Sequence, residues 1–438
     1  MKRYARMRVC AVLAAFAIVG VVGAADAHYI ITLRDGREIK VTRYEDRGEH
    51  IVYKRFAGKV TLPKARIATI VNMSTGKKQV FNPLTESKTA PQRSTAPAKR
   101  RNYAQEALWD KLDTELTRLY HQGHYAESTQ VAEKALRVAK STFGPDHPKV
   151  ATSLNNLAEL ARVQGNYAAA ERLYKQALAI HEKALGKNHP EVATDLNNLA
   201  VMYALQGKHA GVESLYRRAI AIREKALGSH HPDVAQSMNN LAALYKAQGK
   251  YASAEDLHRR ALAIRRKALG PHHPDVANSL NNLGELYRVQ AKYTGAETFH
   301  RQALAIRNRA LGSAHPEVAT SLNNLGLVFH ARGQHASAKS LYEQALAIRE
   351  KALGPDHPAV ATSLNNLAAL YQAERKYADA ESLFTRALAI REKVLGPHHP
   401  HVAIVLENMA DLYNKTGRQY EAAQLQARAK AIRWRRRR

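Results

Sequence analysis

The chain has 438 residues, 45% apolar and 24% charged, an ordinary balance for a soluble protein and long enough to bury a large core. Lys and Arg number 67 against 38 Asp and Glu, and the formal charge of +29 favours anionic partners: nucleic acid, acidic polymers, anionic lipid heads or acidic proteins. The one cysteine, Cys10, lies in an N-terminal segment read below as removed, which excludes disulfides, thiol catalysis and cysteine-ligated metal from the mature chain.

Residues 1–27 read as a signal peptide. Lys2, Arg3, Arg6 and Arg8 precede an apolar run from Val9 to Gly23, and Ala25-Asp26-Ala27 puts small residues where a signal peptidase cuts. The run is shorter than the roughly 20 residues that cross a bilayer. Cleavage after Ala27 is therefore expected over retention as an anchor, with an exported, periplasmic or envelope-associated product.

From 28 to 71 apolar residues alternate in Tyr29, Ile31 and Leu33, then Ile39 and Val41, Ile51 and Tyr53, Val60 and Leu62. Asp35-Gly36, Arg47-Gly48 and Ala57-Gly58 mark turns, and Ile67 and Ile70 suit a last short strand. Four or five strands are expected, forming a small barrel or a curled sheet. The pattern of turns resembles the SH3-like β modules of bacterial envelope proteins. Residues 72–101, rich in Thr, Ser, Pro, Ala and Lys and ending in Lys99-Arg100-Arg101, read as a basic flexible linker.

One period governs the rest. His-Pro recurs at 147, 189, 231, 273, 315, 357 and 399, and Asn-Asn at 155, 197, 239, 281, 323 and 365, always 42 residues apart. Within a copy, Pro148 suits the first turn of a helix. Leu154, Leu157, Ala158 and Ala161 form one helical stripe, and Gln164-Gly165-Asn166 ends it. A second helix buries Ala170, Leu173, Ala177 and Ile180 and closes at Leu185-Gly186. Neither helix can bury its stripe without a hairpin partner and a neighbouring pair, so the chain is expected to be mostly α, a superhelical solenoid. Ala177 returns as Ala219, Ala261, Ala303, Ala345, Ala387 and Ala429, small enough for close helix crossings. Terminal pairs at 104–121 with 125–141 and 400–415 with 419–432 bring the total to eight, over 102–432.

Leu-Asn-Asn-Leu-Ala-x-Leu-Tyr, a Gly turn and Ala-Glu-x-Leu-Tyr-x-x-Ala-Leu together resemble tetratricopeptide repeats (TPR). The 42-residue spacing with a Gly-x-x-His-Pro loop is similar to the kinesin-light-chain type. The resemblance implies an αα solenoid whose first helices line a concave groove, and a non-enzymatic role in binding proteins.

On that face Asn155, Asn197, Asn239, Asn281, Asn323 and Asn365 form a ladder able to pair with the amides of an extended peptide, or to bond one repeat to the next. Arg162, Lys246 and Arg288 beside it favour an acidic segment as partner. For the second ladder, Asn156 to Asn408, bonding within the stack is the expected role. The recurring histidines suit loops and caps, since copies one repeat apart cannot share a metal. No phosphate-binding loop, His-Glu-x-x-His or Gly-x-Ser-x-Gly occurs, and neither enzyme activity, metal nor cofactor is expected.

The basic tail 433–438 (Arg433, Trp434, Arg435, Arg436, Arg437 and Arg438) and an edge of Arg223, Arg265, Arg307, Arg349 and Arg391 offer an alternative: salt-dependent binding of an anionic polymer or membrane surface. A purely architectural, oligomerising role is the third reading. Nucleic acid is not expected as a partner if the chain is exported.

Overall fold

The computed structural model describes residues 29–33, 38–41, 44–47, 50–55, 58–63, 67–72, 78–80, 97–208 and 210–437. The signal segment, Cys10 and Arg438 lie outside the described residues. Contacts divide the chain into two units at 98/99, a β unit and a helical unit.

The β unit holds β1 (Tyr29–Leu33), β2 (Glu38–Val41), β3 (Tyr44–Arg47), β4 (His50–Arg55), β5 (Gly58–Pro63), β6 (Ile67–Asn72) and β7 (Lys78–Val80). They form two antiparallel sheets, ordered β2-β1-β6-β7 and β3-β4-β5. Inward residues from both meet in one core of Ile31, Leu33, Ile67 and Ile70 with Ile51 and Leu62. The expected SH3-like barrel is thereby overturned: neither sheet curls closed. Alternation located the inward residues but not the pairing, because it says which face a residue takes and not which strand lies alongside. The polar strand β3 and the late strand β7 carry no alternating apolar signal, and β7 falls within the span read as linker.

The helical unit contains sixteen helices among the described residues, paired in chain order. These are α1 (Pro97–His121), α2 (Tyr125–Phe143), α3 (Pro148–Val163), α4 (Tyr167–Leu185), α5 (Pro190–Gln206), α6 (Val212–Leu227), α7 (Pro232–Ala247) and α8 (Tyr251–Leu269). The second half continues with α9 (Pro274–Val289), α10 (Tyr293–Leu311), α11 (Pro316–Ala331), α12 (His335–Leu353), α13 (Pro358–Ala373), α14 (Tyr377–Leu395), α15 (Pro400–Lys415) and α16 (Gln419–Arg437). Helix α1 starts inside the span read as linker, and α16 continues through most of the span read as tail.

Local chemistry fixes these boundaries. Pro opens all seven first helices from α3 to α15, where its missing N–H has no partner to lose. The preceding His is the cap: His147 Nδ1 accepts from the Lys149 N–H at 3.1 Å, and His189, His231, His273, His315, His357 and His399 do the same in their copies. At the far end, Gly186 adopts φ 86° and ψ 152°, a region open essentially only to glycine.

The small side chains sit at the crossings as expected. Ala177, Ala219, Ala261, Ala303, Ala345 and Ala387 are wholly buried. Gly284 and Gly326 lie so close beneath the His300 and Tyr342 rings that an added Cβ would stand 2.6 Å from each. First helices of successive pairs also approach one another, α5 to α7, α7 to α9 and onward to α15, more closely than second helices do. The stack therefore curves with first helices inside. It curves far enough to meet itself: the His357 Nε2–H donates to the carbonyl of His121 at 3.2 Å, and Gly165 packs against His399 and Pro400. Pairs six apart thus touch, and the helical unit completes one superhelical turn.

Candidate functional site

The first Asn ladder is turned into the stack. Asn197, Asn239, Asn281, Asn323 and Asn365 are buried, and Asn155 is half-buried. Asn197 Nδ2 donates to Ser237 Oγ at 2.7 Å, Asn239 to Ser279 at 3.2 Å and Asn281 to Ser321 at 3.2 Å, each bond reaching the next pair. Asn155 donates to Asp195 at 2.5 Å. Their oxygens are engaged by His258 and His300 for Asn239 and Asn281, and by Asn366 and Asn408 for Asn323 and Asn365. Only in the copies carrying Tyr174 and Tyr216 at the histidine position do Asn155 Oδ1 and Asn197 Oδ1 stay unbonded. Buried amides this committed hold neighbouring repeats together, the second of the two roles their chemistry allowed.

The arginine edge is likewise interior. Arg223, Arg265, Arg307, Arg349 and Arg391 are between 1% and 7% exposed. Arg307 Nη1 donates to the Glu317 carbonyl and Ser321 Oγ, both at 2.9 Å, and Nη2 to Asn278 Oδ1 at 2.5 Å, so one guanidinium ties α10 to α9 and α11. Burial alone holds the Arg391 pKa down at about 10, and burial is the leading cause at Arg349, also about 10. In the copy where His181 replaces this arginine, Asp195 replaces the serine, and the two lie 2.8 Å apart. In the first pair the indole N–H of Trp109 takes over, donating to Ser153 Oγ at 2.9 Å. Substitutions that change together within one chain mark a single structural contact, and these five arginines are not available to a polymer.

The three groove cations are also spoken for. Arg162 donates through Nε to Glu159 at 2.8 Å, Arg288 to Glu285 at 2.7 and 2.9 Å, and Lys246 Nζ lies 3.9 Å from Glu285. Burial opposes the charge on Glu159, but Arg162 and the hydroxyls of Tyr174 and Tyr120 outweigh it and hold the carboxyl below its usual range. These positions supply no free positive charge for an acidic segment.

The face left open to the groove is carried by the second ladder. On α5, α7, α9 and α11 the half-buried Asn198, Asn240, Asn282 and Asn324 occupy one stripe, separated by about one helix spacing of 8–10 Å. Among the described contacts, Asn198, Asn282 and Asn324 make no side-chain hydrogen bond, and Asn240 only accepts from Gln236 at 3.3 Å. The half-buried Ala243 and Leu327 and the exposed Val289 flank them with apolar surface. The ladder's ends are closed: Asn156 donates to Asp113, Asn366 to Asn323 and Asn408 to Asn365. Sequence expected the second ladder to bond within the stack, which holds at its ends and not at Asn198, Asn282 and Asn324, because neighbouring positions about 100° apart on a helix differ only in which side meets the next repeat.

In the tail, Arg433 stands where the buried arginine recurs and pairs with Glu407, at 2.5 and 2.6 Å. Trp434 is 55% exposed, and Arg435, Arg436 and Arg437 continue α16. Among the described residues, no cluster of His, Cys, Asp or Glu suits a metal, and no helix is long and apolar enough to cross a membrane.

A curved stack of helix pairs with a polar, solvent-accessible inner face defines a helical-repeat scaffold. The chain belongs to the tetratricopeptide repeat family, whose model matches in overlapping windows: 119–183, 150–225, 197–267, 233–309, 275–351, 317–393 and 359–433. Among solved structures it is similar to a putative kinesin light chain from Podosopora anserina with nearly identical TPR-like repeats. That match has 32% identity and a TM-score of 0.39, and covers 47% of this chain and 97% of that one. BtubC (BKLC) from P. vanneervenii is 26% identical with a TM-score of 0.43, covering 53% and 92%. A Rap protein complexed with Competence and Sporulation Factor is 15% identical with a TM-score of 0.50, covering 76% and 99%. No curated protein matches the chain.

Proposed function

We propose that this protein is an exported, non-enzymatic scaffold whose concave groove binds an extended peptide segment of low net charge. The observation that carries the reading is the row Asn198, Asn240, Asn282 and Asn324, four amides open to the groove while the neighbouring ladder is locked inside the stack. An Asn offers a donor and an acceptor, so the row can pair with peptide groups irrespective of side chain. At about 8–10 Å spacing it meets an extended chain, rising about 3.3 Å per residue, at every third residue. The apolar flanks Ala243, Val289 and Leu327 would select what lies between, and they replace the acidic preference first expected from Arg162, Lys246 and Arg288.

Titrating neutral, acidic and basic peptide libraries against the full chain tests this. Asn240→Ala with Asn282→Ala should weaken binding by about tenfold while leaving helicity unchanged. Full binding by the double variant, or a strict preference for acidic peptides, would remove the row from the mechanism. Export rests on residues 1–27, and sequencing the mature N-terminus should find it at His28.

A further inference from the structure

Charge is divided between the two faces of the solenoid. From α3 to α15 the first helices carry slightly more Asp and Glu than Lys and Arg, whereas the second helices carry a large excess of cations. Two tiers of exposed cations run across the outer, convex face. One is Lys175, Arg217, Arg259 and Arg301, each held by the carboxylate four residues earlier. The other lies in the last turns of the second helices: Lys183, Lys225, Lys267, Arg309, Lys351 and Lys393, all exposed.

The second tier is closed only at its ends, where Lys183 and Lys393 pair with Asp146 and Asp356 at 2.5 Å. At its centre Lys225, Arg266, Lys267, Arg309 and Lys351 have no carboxylate partner among the described contacts. A cation at a helix C-terminus complements the helix dipole, but one per helix suffices, and α8 presents both Arg266 and Lys267. Eight residues, about 12 Å of helix, separate the tiers. Midway between them stand Ala221, Ala263 and Ala305, exposed and without bulk.

We propose that this convex track binds a flexible linear polyanion bearing closely spaced phosphate or sulfate groups. A flat bilayer touches a convex face along only one or two helices, whereas a flexible chain follows the curve and meets every cation. The face also lacks a wedge for a bilayer and a platform for bases: among the described residues the exposed large apolar side chains are Val289, Tyr420 and Trp434, none of them between the tiers. Recognition is by charge alone and independent of the peptide groove.

The test is a titration of the full chain with long-chain polyphosphate, with heparin, and with vesicles rich in phosphatidylserine. Both polymers should bind, losing affinity on the order of tenfold or more between about 50 and about 200 mM salt. Lys225→Gln, Arg266→Gln, Lys267→Gln and Arg309→Gln together should weaken polymer binding about tenfold or more and flatten the salt dependence. Circular dichroism should show the fold intact, and Asn240→Ala with Asn282→Ala should bind polymer as the parent does. Three outcomes overturn the proposal: no polymer binding at low salt, binding of vesicles alone, or full binding by the quadruple variant with loss on deleting 434–438.

Discussion

His258 and His300 show how a single position couples this fold to pH. Each is buried beside an Asn of the inner ladder, and burial drives the pKa down, to about 3 for His258 and about 4 for His300. Both stay neutral when folded, while the unfolded chain takes up a proton near 6.5. Stability is therefore whole above pH 6.5 and falls as pH drops towards the folded values, by about 2 kcal/mol per histidine at pH 5. His357, also depressed to about 4 with burial the largest cause, acts in the same direction. His181 opposes them: its pKa is raised, with the Asp195 bond overcoming burial, so it favours folding at acid pH. Burial also lowers the pKa of His121, His147, His189 and His330, so the depressed histidines outweigh the one raised, and the melting temperature should drop between pH 7 and pH 5. His300→Tyr copies the Tyr342 arrangement over Gly326 and should drop less than the parent. Equal drops would show that the histidine is not the group titrating.

At the scale of the helix, recurrence and burial turn out to be separate facts. Ala303 recurs in all seven copies and is wholly buried at a crossing. Ala305 recurs just as faithfully, as Ala179, Ala221, Ala263, Ala347, Ala389 and Ala431, and it is exposed. Identity between copies therefore does not by itself report a close approach; the phase of the position on the helix does. Ala303→Leu should overpack α10 and destabilise by about 1–3 kcal/mol, while Ala305→Leu should stay within about 0.5 kcal/mol. Thermal or denaturant melts of the two variants measure this, and similar losses would contradict the packing described. Strand β3 makes the reverse point: Tyr44–Arg47 pairs along its whole length with β4 although its sequence has no apolar alternation.

Over the helical unit as a whole, the decisive contact is between pairs six apart. Gly123 (φ +76°) would bring a Cβ to 3.1 Å from His357 and Pro358, whereas Gly249 (φ +75°) has nothing within 4 Å. Val at either site meets the same backbone strain of about 1–2 kcal/mol. Only Gly123→Val should also push the neighbouring turn of the superhelix away. Hydrogen exchange should then quicken at the backbone amides of residues 357–361 in Gly123→Val and not in Gly249→Val. The same pattern in both variants would mean that the turns of the superhelix do not depend on each other.

Sequence by itself determined the helical pairs, the limits of the inner ones, the His-Pro caps and the alanine crossings, because each rests on contacts within one 42-residue unit that the period repeats. It also located the inward residues of the β unit. The tertiary structure decided what passes between units. It kept the two sheets from closing into a barrel, and it took the arginine edge and the first Asn ladder into the stack. It paired Arg162 and Arg288 with glutamates one turn away, and left four of the second ladder's members, Asn198, Asn240, Asn282 and Asn324, outside the bonds between repeats. The reason is geometric: adjacent positions on a helix point about 100° apart, and only the placement of the next pair decides which of them is covered.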